Sequence, residues 1–406
     1  MPNARIFTSQ HSLFATLKPQ PPDPLLSLIA ESRRDPREHK IDLGVGVYRD
    51  EHGVTPVLRA VKSAERWLLD HQSTKSYLGP EGDVGFVELL KRLVCGDEIS
   101  SSNRLVGVQT PGGTGALRLA AELIAACSPG AKIWLGLPAW PNHHPIFTAA
   151  GISIEAYHYF DIPSQRLCFD EMIAAIKGAQ PGDVVLLQGC CHNPTGADFD
   201  ITQWIVLGKL LAVRGLVPLI DLAYHGLGRG LAPDAVGIRV ILEHVSEVLI
   251  AYSCDKNFGL YRERTGALFA VAGEPLGADL VFSNILSLAR ANWSMPPDHG
   301  AAVVRLILES EELTADWKRE LEEMRKHIMD VRERLSTADA SFAHLRRQYG
   351  MFSVLPIDSA AIARLKIEHG IYMVGSGRIN VAGLRLEDIQ RFAMALRSLM
   401  EAQQPS

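Results

Sequence analysis

Ser253-Cys254-Asp255-Lys256-Asn257-Phe258-Gly259-Leu260-Tyr261-Arg262-Glu263-Arg264 follows the apolar run Val248 to Tyr252, which reads as a buried strand ending at Ser253. A lysine just past a buried strand needs a partner for its ammonium or a reason to be neutral. Many strand-end lysines simply reach solvent. The chemical alternative is a partly desolvated amine that attacks a carbonyl and forms a Schiff base. Arg264, eight residues on, would then hold an anion beside the same carbonyl compound.

Composition narrows the field. The chain has 406 residues, enough for two or three domains with a core that needs no staples. Hydrophobic residues make up 47% and charged residues 21%, as in ordinary globular proteins. A net charge of −5 gives neither a basic footprint for nucleic acid nor a polybasic membrane signal. No run reaches the roughly 18 apolar residues that a membrane span requires. Cys95, Cys127, Cys168, Cys190, Cys191 and Cys254 form no CxxC pair and no disulfide framework, which fits a reducing cytoplasm. Residues 1–22 lack acids, like a transit peptide, but are short and poor in arginine. We read residues 1–20 as an ordinary N-terminal arm.

The cluster Pro19 to Pro24 marks extended chain, followed by a short helix over 25–35 and a glycine-punctuated strand or loop from Ile41 to Tyr48. Helical periodicity starts near Val57. Strands are expected at 132–137, 152–157, 183–188, 217–222, 247–252 and 267–272, with helices near 115–127, 202–214, 234–244 and 276–290. That alternation predicts an α/β domain on a mostly parallel sheet flanked by helices. In 311–336, Leu313, Trp317, Leu321, Met324, Ile328, Val331 and Leu335 make one apolar stripe on a long helix. It leads into a smaller α/β domain, with strands near 351–355 and 371–381 and a closing helix near 386–400. The expected division is a small domain from 21–55 and 316–406 and a large domain from 56–315.

Four further constellations bear on the lysine. In Thr110-Pro111-Gly112-Gly113-Thr114-Gly115, glycines open a helix whose N-terminal amides suit a phosphate, although such turns also occur for structure alone. Asp221 ends an apolar strand, with Tyr224 three residues on. That carboxylate either pairs with a protonated ring nitrogen or caps the next segment. Asn193, in His192-Asn193-Pro194-Thr195-Gly196, stands at another strand end, and Trp140 offers a plane for stacking. Loops at the ends of several strands thus carry groups suited to one phosphorylated pyridine aldehyde, a description that fits pyridoxal phosphate. No GxGxxG lies between a strand and a helix, which excludes a nicotinamide-binding dehydrogenase.

The motifs LGVGVYRD (43–50), TKSYLG (74–79), TPGGTGALR (110–118), PAWPNH (138–143), GCCHNPTG (189–196), DLAYHG (221–226), SCDKNFGLYRERTG (253–266), ARANWSMPP (289–297), GMFS (350–353) and GSGRINVAG (375–383) run in order along nearly the whole chain. On them the chain resembles the class I aminotransferases, in the aspartate and aromatic amino acid subgroup of pyridoxal-phosphate enzymes of fold type I. The resemblance implies a homodimer with shared active sites. It implies transfer of an amino group from aromatic or acidic L-amino acids to 2-oxoglutarate, by a ping-pong path through pyridoxamine phosphate. A strict aspartate aminotransferase and, less well supported, a lyase or decarboxylase on the same fold are the alternatives.

The resemblance also implies roles. Lys256 would hold the aldehyde covalently and later shuttle a proton, and Asp221 would keep the pyridine nitrogen protonated, with His143 behind it. Tyr224 and Asn193 would reach the ring's 3′-oxygen, and Trp140 would stack on the ring. Gly113, Thr114, Ser253 and Arg264 would hold the phosphate, joined by Tyr77 of the neighbouring subunit. Arg378 would fork onto the substrate α-carboxylate beside the Gly46 backbone, within reach of Trp140 and Asn193. Arg290 of the other subunit would take a distal carboxylate.

Several residues depart from the family pattern. Gln188 replaces a histidine, His225 a glutamine and Trp293 a tyrosine, and Met295 puts an apolar side chain where asparagine is frequent. Asp255 stands where a small hydroxyl residue donates to the phosphate. Each carboxylate–phosphate charge pair about 4 Å apart would cost about 4 kcal/mol at an effective dielectric near 20. Asp255 is therefore expected to turn away, toward Arg262. Met295 and Trp293 would supply polarisable and flat surface for aromatic side chains near the same pocket, whereas Val47, Thr114 and Ser76 look like dicarboxylate-preferring members.

Overall fold

A computed structural model describes residues 13–401, with side chains to 399; residues 1–12 of the expected arm lie outside this range. Residues 17–23 carry no regular element, and the first helix is Pro24–Arg34. The Asp23 carboxylate accepts from the Leu25 and Leu26 amides, and Pro24 opens the helix where a missing N–H costs nothing.

The central sheet among the described residues has seven strands. In chain order they are β1 (Leu105–Pro111), β2 (Lys132–Leu137), β3 (Ser153–His158), β4 (Val184–Gln188), β5 (Val217–Leu222), β6 (Val248–Ser253) and β7 (Thr265–Val271). Their order across the sheet is β1-β7-β6-β5-β4-β2-β3. All pairs are parallel except those of β7, which runs against both β1 and β6. β6 and β7 are buried along their whole length, so both faces need apolar side chains. Alternation then splits the core. Val185, Leu187, Ile220, Ile250 and Phe269 face one layer, while Val184, Leu186, Leu219, Leu249 and Leu268 face the other.

This topology brings the carboxyl ends of β1, β2, β4, β5 and β6 to one edge, together with the start of β7. Pro111 lies opposite Thr265, and Ser253 opposite Gly266. Ligands of open α/β sheets bind outside this edge.

The expected strands lie within two residues of their places, but β1 and the helix Val84–Cys95 carried no sequence expectation. Gly107 and Gln109 interrupt the apolar pattern of β1. Gln109 is nonetheless fully buried, accepting from the Asp83 amide at 2.8 Å and donating to the Pro297 carbonyl at 2.6 Å.

The long helix is Glu311–Ala338. Its stripe serves two cores: Trp317, Leu321, Met324 and Ile328 join the sheet core, while Val331 and Leu335 join a third cluster with Ile41, Leu43, Phe342, Leu365, Ile379 and Phe392. In that third cluster Ile41–Asp42 pairs in parallel with Ile371–Tyr372, and Phe352–Val354 pairs antiparallel with Arg378–Asn380. The strand expected over 371–381 is therefore two short strands. Between them the chain turns at Gly377, whose φ of 82° is open to glycine, with its amide on the Val374 carbonyl. Beyond Asp42 the segment to Tyr48 leaves the sheet. Asn380 Nδ2 holds it by donating to the carbonyls of Val45 and Val47 at 2.6 and 2.7 Å.

Candidate active site

Outside the carboxyl edge lies a cavity of about 310 Å³. Of the thirteen cofactor- and substrate-binding residues expected from sequence, eleven line it: Gly46, Gly113, Thr114, Trp140, Asn193, Asp221, Tyr224, Ser253, Lys256, Arg264 and Arg378. Tyr77 and Arg290 do not. Tyr77 is 94% exposed, and exposed Arg290 donates to the Ser294 hydroxyl at 2.6 Å. Their segments nevertheless adjoin, because the Leu78 amide donates to Met295 Sδ at 3.1 Å. Trp293 and Met295 likewise stand outside their own chain's cavity.

Lys256 lies three residues past the end of fully buried β6, after Cys254 and Asp255. Burial lowers its pKa, against the opposing pull of the Asp255 and Asp221 carboxylates. Its Nζ lies 5.5 Å from the centre of the Tyr224 ring. Asp221, in β5, receives the Nε2 of fully buried His143 at 2.8 Å, and the Trp140 ring stands edge-on to that imidazole. Asp221 is thus held from behind rather than capping a helix.

Asn193 Nδ2 donates to Tyr224 Oη at 3.2 Å, and burial pushes the phenol's pKa up. The Asn193 backbone is clamped by Gln188, which accepts from its amide at 2.8 Å and donates to its carbonyl at 2.9 Å. Gln188 thereby fills its departure from the family pattern with two bonds that an imidazole could not make to one backbone unit in the same way.

At the far wall Arg378 stacks 4.7 Å above the Phe352 ring and donates to the Gly44 carbonyl at 2.7 Å. Burial lowers its pKa. A Cβ on Gly46 would meet the same Phe352 ring at 3.0 Å, so glycine keeps this loop close to the guanidinium.

Asp255 corrects an expectation. It does not turn away toward Arg262; its Oδ2 lies 2.5 Å from Arg264 Nη1 and 3.8 Å from Lys256 Nζ, on the cavity wall. Arg264 has a φ of 53°, a left-handed turn that swings its side chain back across the end of β6.

The wall also holds Leu25, Leu117 and Phe352, which sequence reasoning did not single out. Apolar residues carry no chemical signal, although Phe352 lies within the GMFS motif.

The residues fit a phosphorylated pyridine aldehyde. Buried Asn193 Oδ1 and Arg378 Nε have no hydrogen-bond partner among the described residues. At the start of the helix Gly112–Cys127, a Cβ on Gly113 would press Ser253 at 3.1 Å and one on Gly112 would strike Arg264 Nη2 at 2.7 Å, so side chains there would fill the cradle.

Fold and site together define an α/β protein whose one cavity brings together a partly buried lysine, a buried carboxylate and a buried arginine. The profile of the family described as Aminotransferase class I and II matches residues 38–396. A tyrosine aminotransferase of Rhizobium meliloti (strain 1021) is 54% identical over 391 residues, 95% of this chain and 100% of that one. An aspartate aminotransferase of Salmonella typhi is 42% identical over 396 residues, 96% and 100% of the two chains. A crystal structure of an aromatic-amino-acid aminotransferase from Burkholderia pseudomallei, covalently bound to pyridoxal phosphate, superposes with a TM-score of 0.93 at 38% identity. It covers 96% of this chain and 100% of that one. The chain belongs to the class I and II aminotransferase family, and it is a transaminase.

Proposed function

We propose that this transaminase uses pyridoxal phosphate to move the amino group of aromatic and acidic L-amino acids to 2-oxoglutarate. The observation that carries the reading is the single cavity in which Lys256, Asp221 and Arg378 converge, with the glycine-opened helix at one side. When bound, pyridoxal phosphate supplies an aldehyde for the amino group and a ring that takes up the electron pair left at the substrate's α-carbon.

The chain's own residues do the rest. Gly113, Thr114, Ser253 and Arg264 would hold the phosphate, where one guanidinium and about half a charge from the helix dipole answer its negative charge. Asp221, held by His143, would keep a proton on the ring nitrogen, and Tyr224 with Asn193 would hold the ring oxygen. Burial lowers the pKa of Lys256, which favours the free amine that attacks a carbonyl. Once released, its Nζ would take the proton from the substrate α-carbon and return it elsewhere. Arg378 would fork onto the α-carboxylate and so aim the α-proton at Nζ.

We infer a homodimer in which Tyr77 and Arg290 serve the partner's cavity. Their adjoining surface segments, outside their own cavity, support this. We propose the division into a small domain of 21–55 and 316–406 and a large domain of 56–315, supported by the separate third core. A cytoplasmic setting is supported by the six cysteines, all free.

The deciding experiment is a single-turnover panel. Loaded enzyme is mixed with tyrosine, phenylalanine, aspartate, glutamate and lysine, and the cofactor spectrum is followed. Conversion by the aromatic and the acidic donors, but not by lysine, is expected. Conversion by aspartate and glutamate alone would leave a strict aspartate aminotransferase.

A further inference from the structure

Asp255 puts a negative charge inside an anion cradle. Its side chain is buried, and its Oδ2 engages Arg264 Nη1 at 2.5 Å while standing 3.8 Å from Lys256 Nζ. Its Oδ1 has no partner among the described residues and lies on the wall that Gly112, Gly113 and Arg264 form; a Cβ on Gly112 would come within 3.6 Å of it. The one guanidinium of the cradle is therefore already answered by a carboxylate. Any phosphate there gains the helix amides and Arg264 but must also meet this charge at close range.

We infer that Asp255 is a counter-charge that holds down the affinity of the cradle for the cofactor's phosphate. This rests on the pyridoxal-phosphate reading and deepens it. A purely positioning role for Asp255 is the competing account. Arg264, however, has a second anchor, since Nη1 also donates to the Tyr261 carbonyl at 3.0 Å. Together with the left-handed turn at Arg264, this keeps the guanidinium in place when the carboxylate is removed. Removing the charge thus leaves the cradle's cation standing and frees it for phosphate.

The test measures binding without turnover. Pyridoxamine phosphate lacks the carbonyl and cannot bond Lys256, so its dissociation constant reports the non-covalent cradle. It is measured by equilibrium dialysis against the apoenzyme in wild type, Asp255→Asn and Asp255→Ser, and inorganic phosphate is titrated as a competitor. Both variants are expected to bind pyridoxamine phosphate about tenfold tighter or more, with inorganic phosphate competing at correspondingly lower concentration. Equal or weaker binding in the variants overturns the inference and makes Asp255 a positioning residue for Arg264. Where the two variants differ, the isosteric Asp255→Asn decides. If none of the three proteins binds the probe, the cofactor reading itself falls and the inference with it, an outcome distinct from a wild type that binds and variants that gain nothing.

Discussion

The proposed role of Lys256 as nucleophile and proton carrier rests on a buried strand that leads to it and on burial in the cavity, which lowers its pKa. Lys256→Ala should abolish covalent retention of the cofactor and nearly all turnover, while the phosphate cradle still binds pyridoxamine phosphate. A chromophore in that variant still fixed to the protein by borohydride would place the reactive amine elsewhere. Arg290 tests donor choice. If it meets a distal carboxylate in the partner's cavity, Arg290→Ala should cost aspartate and glutamate about 3–5 kcal/mol of transition-state stabilisation, the scale of leaving one buried charge unpaired. Tyrosine and phenylalanine should lose far less, as read from kcat/KM for each donor. Equal losses would make the arginine structural. At this scale most of the polar lining of the cavity was legible in the sequence, because Lys256, Asp221, Asn193 and Gly113 are polar or glycine residues placed near strand ends. The direction of Asp255 was not. It depends on a left-handed residue at Arg264, which returns that side chain, and not Arg262, across the strand end. The Gln188 clamp was equally hidden, because it bonds a backbone unit that a sequence does not display.

The helix Glu311–Ala338 does more than connect two cores. Trp317 Nε1 donates to the Asn257 carbonyl at 2.8 Å and its ring stacks on Phe258 at 4.3 Å, which pins the segment just after Lys256. About four turns further on, Arg332 is fully buried, with its pKa lowered to about 10 by that burial. Its guanidinium donates to the carbonyls of Gly350 and Phe352, each at 2.7 Å, and of Tyr349 at 3.2 Å. The same helix therefore sets both Lys256 and the Phe352 ring beneath Arg378. Arg332→Met keeps the length but leaves the buried carbonyls of Gly350 and Phe352 and the part-buried carbonyl of Tyr349 short of a donor, and should destabilise the fold by about 3–5 kcal/mol. If Arg378 binds the α-carboxylate, Arg332→Met should also raise KM for the amino acid more than it lowers kcat, since the displaced Phe352 ring stacks under Arg378. Chemical denaturation and steady-state kinetics check the two effects, and an unchanged midpoint would contradict the first. The apolar stripe of this helix was readable from residue spacing. The role of Arg332 was not, because a charged residue on a surface-type helix ordinarily reads as solvent-facing. β1 escaped for the reverse reason, since buried Gln109 looks like a loop residue until its two partners are in place.

The whole molecule carries an acid liability that its histidines predict. Burial holds His192 at about 3, and His225 and His344 at about 4, against an ordinary value of 6.5. Between pH 6.5 and 4 the folded state therefore binds fewer protons at these sites than the unfolded chain does, and stability falls as the pH falls. Asp198 works in the opposite sense. Burial raises it from 3.8 to about 6, so the folded state binds an extra proton there over nearly the same range. Three sites outweigh one, and near pH 5 these groups should remove about 2–3 kcal/mol of stability per pH unit on acidification. Denaturant midpoints between pH 7 and 4.5 measure this, and a flat profile would contradict it. The second property of the whole is that two residues expected at the site lie outside the cavity of their own chain. Lys256 belongs to its own cavity, whereas Tyr77 and Arg290 sit on adjoining exposed segments outside it. If two copies exchange those segments, a cavity draws its lysine from one chain and its distal arginine from the other. Lys256→Ala and Arg290→Ala homodimers should each transaminate aspartate poorly. Unfolded together and refolded as an equal mixture, half of the dimers should be hybrids. In each hybrid one cavity combines an intact Lys256 with the partner's intact Arg290, and the other has neither. The mixture should thus regain about a quarter of the wild-type aspartate activity, a figure that follows from random pairing of a two-fold assembly. Recovery must require remixing, because simply adding the two folded homodimers leaves every cavity defective. Aspartate activity that stays at the level of the parents after co-refolding would mean that Arg290 serves its own chain or none.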